Sequence, residues 1–92
     1  MVWKVELSEL AQKNLEALDL PLARRVVSFL YERLALLDNP RSLGEPLKGA
    51  RLGQLWRWRV GDLRLIASIE DEKLLVVVVR VGHRREVYRW GR

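Results

Sequence analysis

The sequence predicts an α+β fold on three observations. Apolar residues recur at helical spacing within residues 9–37, strand-type alternation begins at Leu55, and a Pro- and Gly-containing stretch separates the two regimes. Helices drawn from one part of a chain and strands from another pack as helices on one face of a small, mainly antiparallel sheet. The chain has 92 residues, which fits a single domain spanning 1–92 and leaves no room for two.

The elements follow in order. Val2 to Leu7 combines β-branched and aromatic residues with partial alternation and reads as a short strand. Ser8 can cap a helix and Glu9 suits its first turn. Leu10, Ala11, Leu15 and Leu18 then give a helix over 9–18. Pro21 fits the first turn of a second helix, whose stripe is Leu22, Val26, Phe29, Leu30, Leu34 and Leu37. Asp38-Asn39-Pro40 ends it, because proline disfavours helix at the residue before it. So short a break between helices predicts a helical hairpin. Residues 39–53 carry Pro40, Gly44, Pro46, Gly49 and Gly53 and read as a loop.

From Leu55 the period is two. Leu55 to Val60 and Leu63 to Ile69 flank Gly61-Asp62, a β-hairpin in which glycine at the first turn position fits a type II′ turn. Glu70 to Lys73 makes a polar turn, and Leu74 to Val81 is the continuous apolar run of a central strand covered on both faces. The prediction is an N-terminal strand, a helical hairpin and a three-stranded antiparallel meander forming one small sheet with the helices on one face.

Composition excludes several functions. There is no Cys, which removes disulfides, thiolate nucleophiles and thiolate metal sites. A single His is a poor anchor for zinc, so no metal or other cofactor is expected. No apolar run approaches the roughly 18 residues of a membrane span. The N-terminus lacks an apolar signal region, which leads us to expect a cytoplasmic protein with no membrane partner.

The formal net charge is +5, and it is unevenly placed. Residues 1–47 hold six basic and seven acidic residues, a net −1. Residues 48–92 hold eleven basic and five acidic ones, a net +6. Thirteen of the 17 basic residues are Arg, which binds phosphate bidentately and stacks on bases. Such a half points to an anionic partner, most simply a nucleic acid; a highly soluble surface is the plainer reading.

Alternation sorts the hairpin. With a two-residue turn, Val60 opposes Leu63, Arg59 opposes Arg64 and Trp58 opposes Leu65. Trp56, Trp58 and Val60 then share the helix-covered face with Leu63, Leu65, Ala67 and Ile69. Arg57, Arg59 and Arg64 share the other face, beside Leu55 and Ile66, which are expected to be exposed. Like charges directly opposite destabilise a strand pair, and such local faults are expected at functional sites. A phosphate between Arg59 and Arg64 would convert repulsion into charge-assisted binding. Alternatively the two splay into solvent or pair with Glu70, Glu72 or Glu86.

Beyond the last strand, His83, Arg84, Arg85 and Arg89 interleave with Tyr88 and Trp90. That mixture suits single-stranded RNA, whose bases stack on rings while arginines hold phosphates. Tyr88 and Trp90 could equally form a short additional strand, and an isolated His is more often structural.

The sequence resembles the RelE/ParE toxin superfamily over nearly its whole length. The motifs that carry this are Pro46-Leu47-Lys48-Gly49, the hairpin from Leu55 to Ile66, and Val81 to Tyr88, in that order and spacing. The resemblance implies the toxin half of a toxin–antitoxin pair. RelE-like members cut mRNA in the ribosomal A site; ParE-like members inhibit DNA gyrase and have no nuclease site. Carried over by position, the RelE-like catalytic set is Arg59, Arg64, Arg84 and Tyr88, with Arg57, Lys48, His83 and Arg85 as RNA-binding residues.

The implied chemistry is metal-free: the 2′-OH attacks the adjacent phosphate and leaves a cyclic phosphate and a 5′-OH. Well-studied members carry Lys where this chain has Arg57 and Arg59, and Arg stays protonated. The general base therefore falls to His83 or Tyr88. The resemblance also implies the ribosome and mRNA as partners, with a RelB-like antitoxin, acidic and partly disordered when free. Gyrase inhibition, and a toxin-like protein that only binds antitoxin, are the competing readings.

Overall fold

The computed structural model describes residues 2–47 and 54–85. The chain runs β1 (Lys4–Leu7), α1 (Glu9–Glu16), α2 (Leu20–Glu32), β2 (Glu45–Pro46), β3 (Leu55–Val60), β4 (Leu63–Glu70) and β5 (Leu75–His83). Short 3₁₀ turns lie at Leu34–Leu36, Pro40–Leu43 and Asp71–Lys73. One five-stranded sheet has the order β1-β5-β4-β3-β2. The expected meander β3-β4-β5 is its centre, and β1 joins β5 in parallel, Lys4 beside Leu75 through Leu7 beside Val78.

Ser8 caps α1 as expected, its Oγ accepting from the Ala11 N–H at 3.0 Å. The second helix is shorter than its apolar stripe. It stops at Glu32, and Leu34–Leu36 tighten into a 3₁₀ turn. That turn keeps Leu34 buried while aiming the Ala35 carbonyl at the Trp3 N–H, 2.8 Å away, which ties the helix end to the entry of β1. The stretch read as loop contains β2, two residues that pair with β3 as Glu45 to Arg57 and Pro46 to Trp56. Two residues have no detectable period, and proline is tolerated on an edge strand.

The β3–β4 register is the one alternation predicts, with Arg59 opposite Arg64. Gly61 has φ +60°, and Asp62 does not join it at positive φ. That excludes type I′, which needs both, and fits type II′. The core lies between sheet and helices: Val26, Leu30 and Leu34 meet Trp58, Leu63, Leu65, Val76 and Val78, all essentially sealed. The Trp58 indole N–H donates to the Pro40 carbonyl at 3.0 Å, so this large side chain is buried with its polar atom satisfied.

One irregularity matters for the other face. Ile66 pairs with Arg80 but Ala67 pairs with Val78, so Val79 is an extra residue in β5, a β-bulge. Helix α1 holds it from outside. The Ser8 hydroxyl donates to the Val79 carbonyl at 3.1 Å, and the Val81 N–H donates to Asn14 Oδ1 at 3.0 Å.

Candidate nucleic-acid interface

The face of the sheet away from the helices carries two cross-strand rows. Register aligns Arg57, Ile66 and Arg80 across β3, β4 and β5, and Arg59, Arg64 and Gly82 beside them. Arg80 is the cation the sequence reading missed. Plain alternation from Val76 and Val78 would put it in the core; the extra residue at Val79 reverses the parity, so that Val81 is buried among core residues and Arg80 takes the arginine face. The signal was present as a lone Arg within a valine run, since a charge cannot enter an apolar core unpaired.

Ile66 departs from expectation. It is 1 % exposed rather than a solvent-facing apolar group, and it lies in register between Arg57 and Arg80. The aliphatic stems of arginines cover apolar surface while their heads stay polar. Leu55 is half-buried.

The two opposed arginines behave differently. Arg64 is 8 % exposed, and its Nη1 donates to the Gly61 carbonyl at 3.1 Å and the Leu63 carbonyl at 3.0 Å. Its guanidinium folds onto the turn, where Gly82 opposite offers no side chain. Arg59 is exposed. The fault predicted at this pair is thus relieved by one arginine lying down and the other standing out, and neither pairs with Glu70 or Glu72 in the described contacts.

The carboxylate that does approach comes from β2. Glu45 sits 2.7 Å from Arg57 Nη2 and 3.8 Å from Arg59 Nη2. The hydrogen bond from Arg57, and then its charge, hold the Glu45 carboxyl below the usual carboxylate range, with Arg59 and Arg64 adding to the effect. A second link fixes the neighbouring loop. Arg41 donates from Nη1 and Nη2 to the two oxygens of Asp71 at 2.9 and 2.7 Å, and its guanidinium lies 5.6 Å from the Trp56 ring centroid.

Arg84 follows β5 directly, and its N–H donates to the Asp62 carbonyl at 3.2 Å, holding its backbone against the β3–β4 turn. Arg57, Arg59, Arg64 and Arg84 are therefore gathered at one end of the sheet. His83 is opposite Leu63, on the parity of the core-facing residues, and is exposed at the strand end. Arg85 is exposed in the turn beyond. Lys48 and Tyr88 lie outside the described residues. Chemically, the arginine face offers fixed cations for a phosphodiester, while His83 stands at the end of β5 on the opposite parity.

A small α+β domain with an arginine-lined sheet face is the class that this geometry defines. Residues 5–88 match the family model described as ParE toxin of a type II toxin–antitoxin system. The chain belongs to that toxin family. It is 33 % identical to Toxin RelG of Mycobacterium tuberculosis, over 97 % of this chain and 99 % of the relative. Among solved structures it is similar to the toxin–antitoxin complex RelBE2 of the same organism, with a TM-score of 0.83 and 30 % identity, covering 94 % of this chain and 95 % of the other. It is also similar to the archaeal RelE–RelB complex of Pyrococcus horikoshii, with a TM-score of 0.73 and 26 % identity, over 94 % and 99 % of the two chains. Among the described residues no helix is long and apolar enough to cross a membrane.

Proposed function

We propose that the chain is a ribosome-dependent endoribonuclease toxin of the RelE type. It cuts mRNA in the A site and is silenced by a RelB-like antitoxin, acidic and partly disordered when free. The single observation that supports this most is the concentration of Arg57, Arg59, Arg64, Arg80 and Arg84 on or beside one sheet face, in a family of toxins. Similarity to RelG and to RelE–RelB complexes supports the RelE type over other members.

In this reaction the 2′-oxygen loses its proton and attacks the adjacent phosphorus. The bond to the 5′-oxygen breaks, that oxygen takes a proton from water, and the products are a 2′,3′-cyclic phosphate and a 5′-OH. Arg59 and Arg84 stabilise the charge that accumulates on the phosphorane oxygens. Arg64 keeps the turn in place and adds its field from beneath. Tyr88 stacks on a base or orients the 2′-OH. Arginine cannot take the 2′-proton, so His83 or Tyr88 serves as base, and the ribosome contributes by holding the RNA in an attack geometry.

Mapping mRNA 5′ ends after induction, with and without translation, tests the reading. The expected result is cleavage within codons only on translating ribosomes. Arg59→Ala and Arg84→Ala should each slow cleavage by about a hundredfold or more and relieve growth arrest. They are cleaner probes than Arg64→Ala, which also removes two hydrogen bonds to the turn. The ParE description of the family model favours a second reading, gyrase inhibition. Gyrase-dependent DNA breaks with intact mRNA would establish it instead.

A further inference from the structure

The sheet face that carries the arginines changes character along its length. Register sets Arg59, Arg64 and Gly82 in one row and Arg57, Ile66 and Arg80 in the next. Two residues further along β4 the row is Leu55, Ser68 and Val77, and it extends to Glu6 on β1. Beyond it Glu70 pairs with Leu75, and Leu75 with Lys4. The cations thus give way over two strand residues, about 7 Å, to a neutral row. Carboxylates border that row, Glu6 at its β1 end and Glu70 one row further, where Lys73 lies 3.5 Å away.

Leu55, Ser68 and Val77 are each half-buried. No hydrogen bond among the described residues involves the Ser68 hydroxyl. Its neighbours across both strands are aliphatic, so neither of them competes for it. A hydroxyl donates one hydrogen bond and accepts two. Aliphatic surroundings make a bond it forms discriminating, because a ligand edge that cannot return the bond leaves a polar group unpaired.

We propose that the Leu55–Ser68–Val77 row is a base subsite and that Ser68 sets the base preference of cleavage. The base belongs to a nucleotide whose phosphate lies on the neighbouring arginine row. It packs against the aliphatic surface of Leu55 and Val77 and turns a polar edge to Ser68 Oγ. The inference rests on the RNA-cleaving reading above and adds to it the residue that reads sequence. Charge decides which part of the RNA lies where. Phosphates gather at the arginines, and Glu6 and Glu70 oppose a backbone that runs straight on along the strands. A base is uncharged, with a flat apolar face and a hydrogen-bonding edge, and it suits a neutral row with one available hydroxyl. Phosphate contacts then hold the strand, and the base contact gives the preference.

The test uses the purified full chain and ribosomes translating a set of mRNAs that differ by one base beside the cleaved bond. The wild type should cut the best base about fivefold faster than the worst, the discrimination expected of one neutral hydrogen bond. Ser68→Ala should bring these rates within about twofold of one another. Ser68→Thr keeps the hydroxyl and should preserve the ranking. Both variants should unfold close to the wild-type temperature, since the side chain is half-exposed and makes no hydrogen bond among the described residues. A Ser68→Ala profile identical to the wild type overturns the proposal. So does a wild type without base preference, or a uniform loss of rate in both variants, which would mark a structural role. The underlying reading fails separately, if the wild type cuts none of these mRNAs on translating ribosomes. Anisotropy with short oligoribonucleotides carrying the same bases then decides the subsite, and a Ser68→Ala chain that binds them all as the wild type does overturns it.

Discussion

Glu45 is the residue at which the charge of the arginine face can be tuned. It lies 2.7 Å from Arg57 and competes with any phosphate for that guanidinium. Glu45→Ala should therefore raise affinity for a short oligoribonucleotide by about two- to fivefold, the range expected for removing one exposed competing ion pair; fluorescence anisotropy would measure it. Acid should weaken the same contact. Arg57 holds the Glu45 carboxyl below its usual range, and Arg41 does the same for Asp71, chiefly through hydrogen bonds. Because the folded-state pKa values are lowered, the unfolded chain takes up these protons first as pH falls. The stabilisation is complete above the ordinary carboxylate range and is lost as pH drops through the lowered values. Urea titrations should show Glu45→Gln and Asp71→Asn slightly less stable than the wild type at neutral pH and equal to it in strong acid. The effect is small, since both carboxylates are more than half exposed.

At the scale of elements, the bulge in β5 decides where Arg80 points, and α1 decides the bulge. Ser8 and Asn14 bond to Val79 and Val81, on either side of the reversal of parity. Asn14→Ala leaves the partly buried Val81 N–H without its acceptor and should cost about 1–2 kcal/mol, a fall in Tm of roughly 4–15 °C for a domain of this size. Activity should fall further than the stability loss explains if Arg80 loses its place, and Arg80→Ala measured beside it gives the reference. Gly44 is a second element-scale constraint. A Cβ there would sit 2.9 Å from Trp58 Cε2 and Nε1 and 3.2 Å from the Arg57 carbonyl. Trp58 is sealed in the core and cannot yield, so Gly44→Ala should destabilise by about 1–3 kcal/mol, measured by thermal unfolding. These elements also mark the limit of what sequence makes legible. The hairpin register was readable because one face is apolar and a one-residue slip would expose it. The bulge was not, because Leu75 to Val79 is apolar at every position and offers no alternation to break. β2 was hidden by its length of two residues, and the end of α2 by a stripe that runs on through Leu34 into a 3₁₀ turn.

At the scale of the whole molecule, the +5 balance resolves into a nearly neutral N-terminal half and a C-terminal half of +6. The fold turns that linear asymmetry into a spatial one by placing Arg57, Arg59 and Arg80 on the sheet face and fastening Arg84 beside the β3–β4 turn. Helix α2, through Arg24 and Arg25, and the C-cap residue Arg33 extend the positive field around the sheet edge, although their half of the chain has a net −1. One anionic partner can thus meet the molecule from two sides. On the proposed RNA-cleaving reading, binding to the sheet face has a measurable signature. If Arg57, Arg59, Arg80 and Arg84 each neutralise one phosphate of a single strand, log K should fall against log salt with a slope of about −3. Raising salt from about 50 to 200 mM should then weaken oligoribonucleotide binding by roughly fiftyfold. Arg80→Ala should reduce that slope by about 0.7 while leaving the turn contacts of Arg64 intact. An unchanged slope would remove Arg80 from the phosphate-binding face. A slope reduced equally by Arg24→Ala, on α2, would show that RNA follows the helix as well as the sheet.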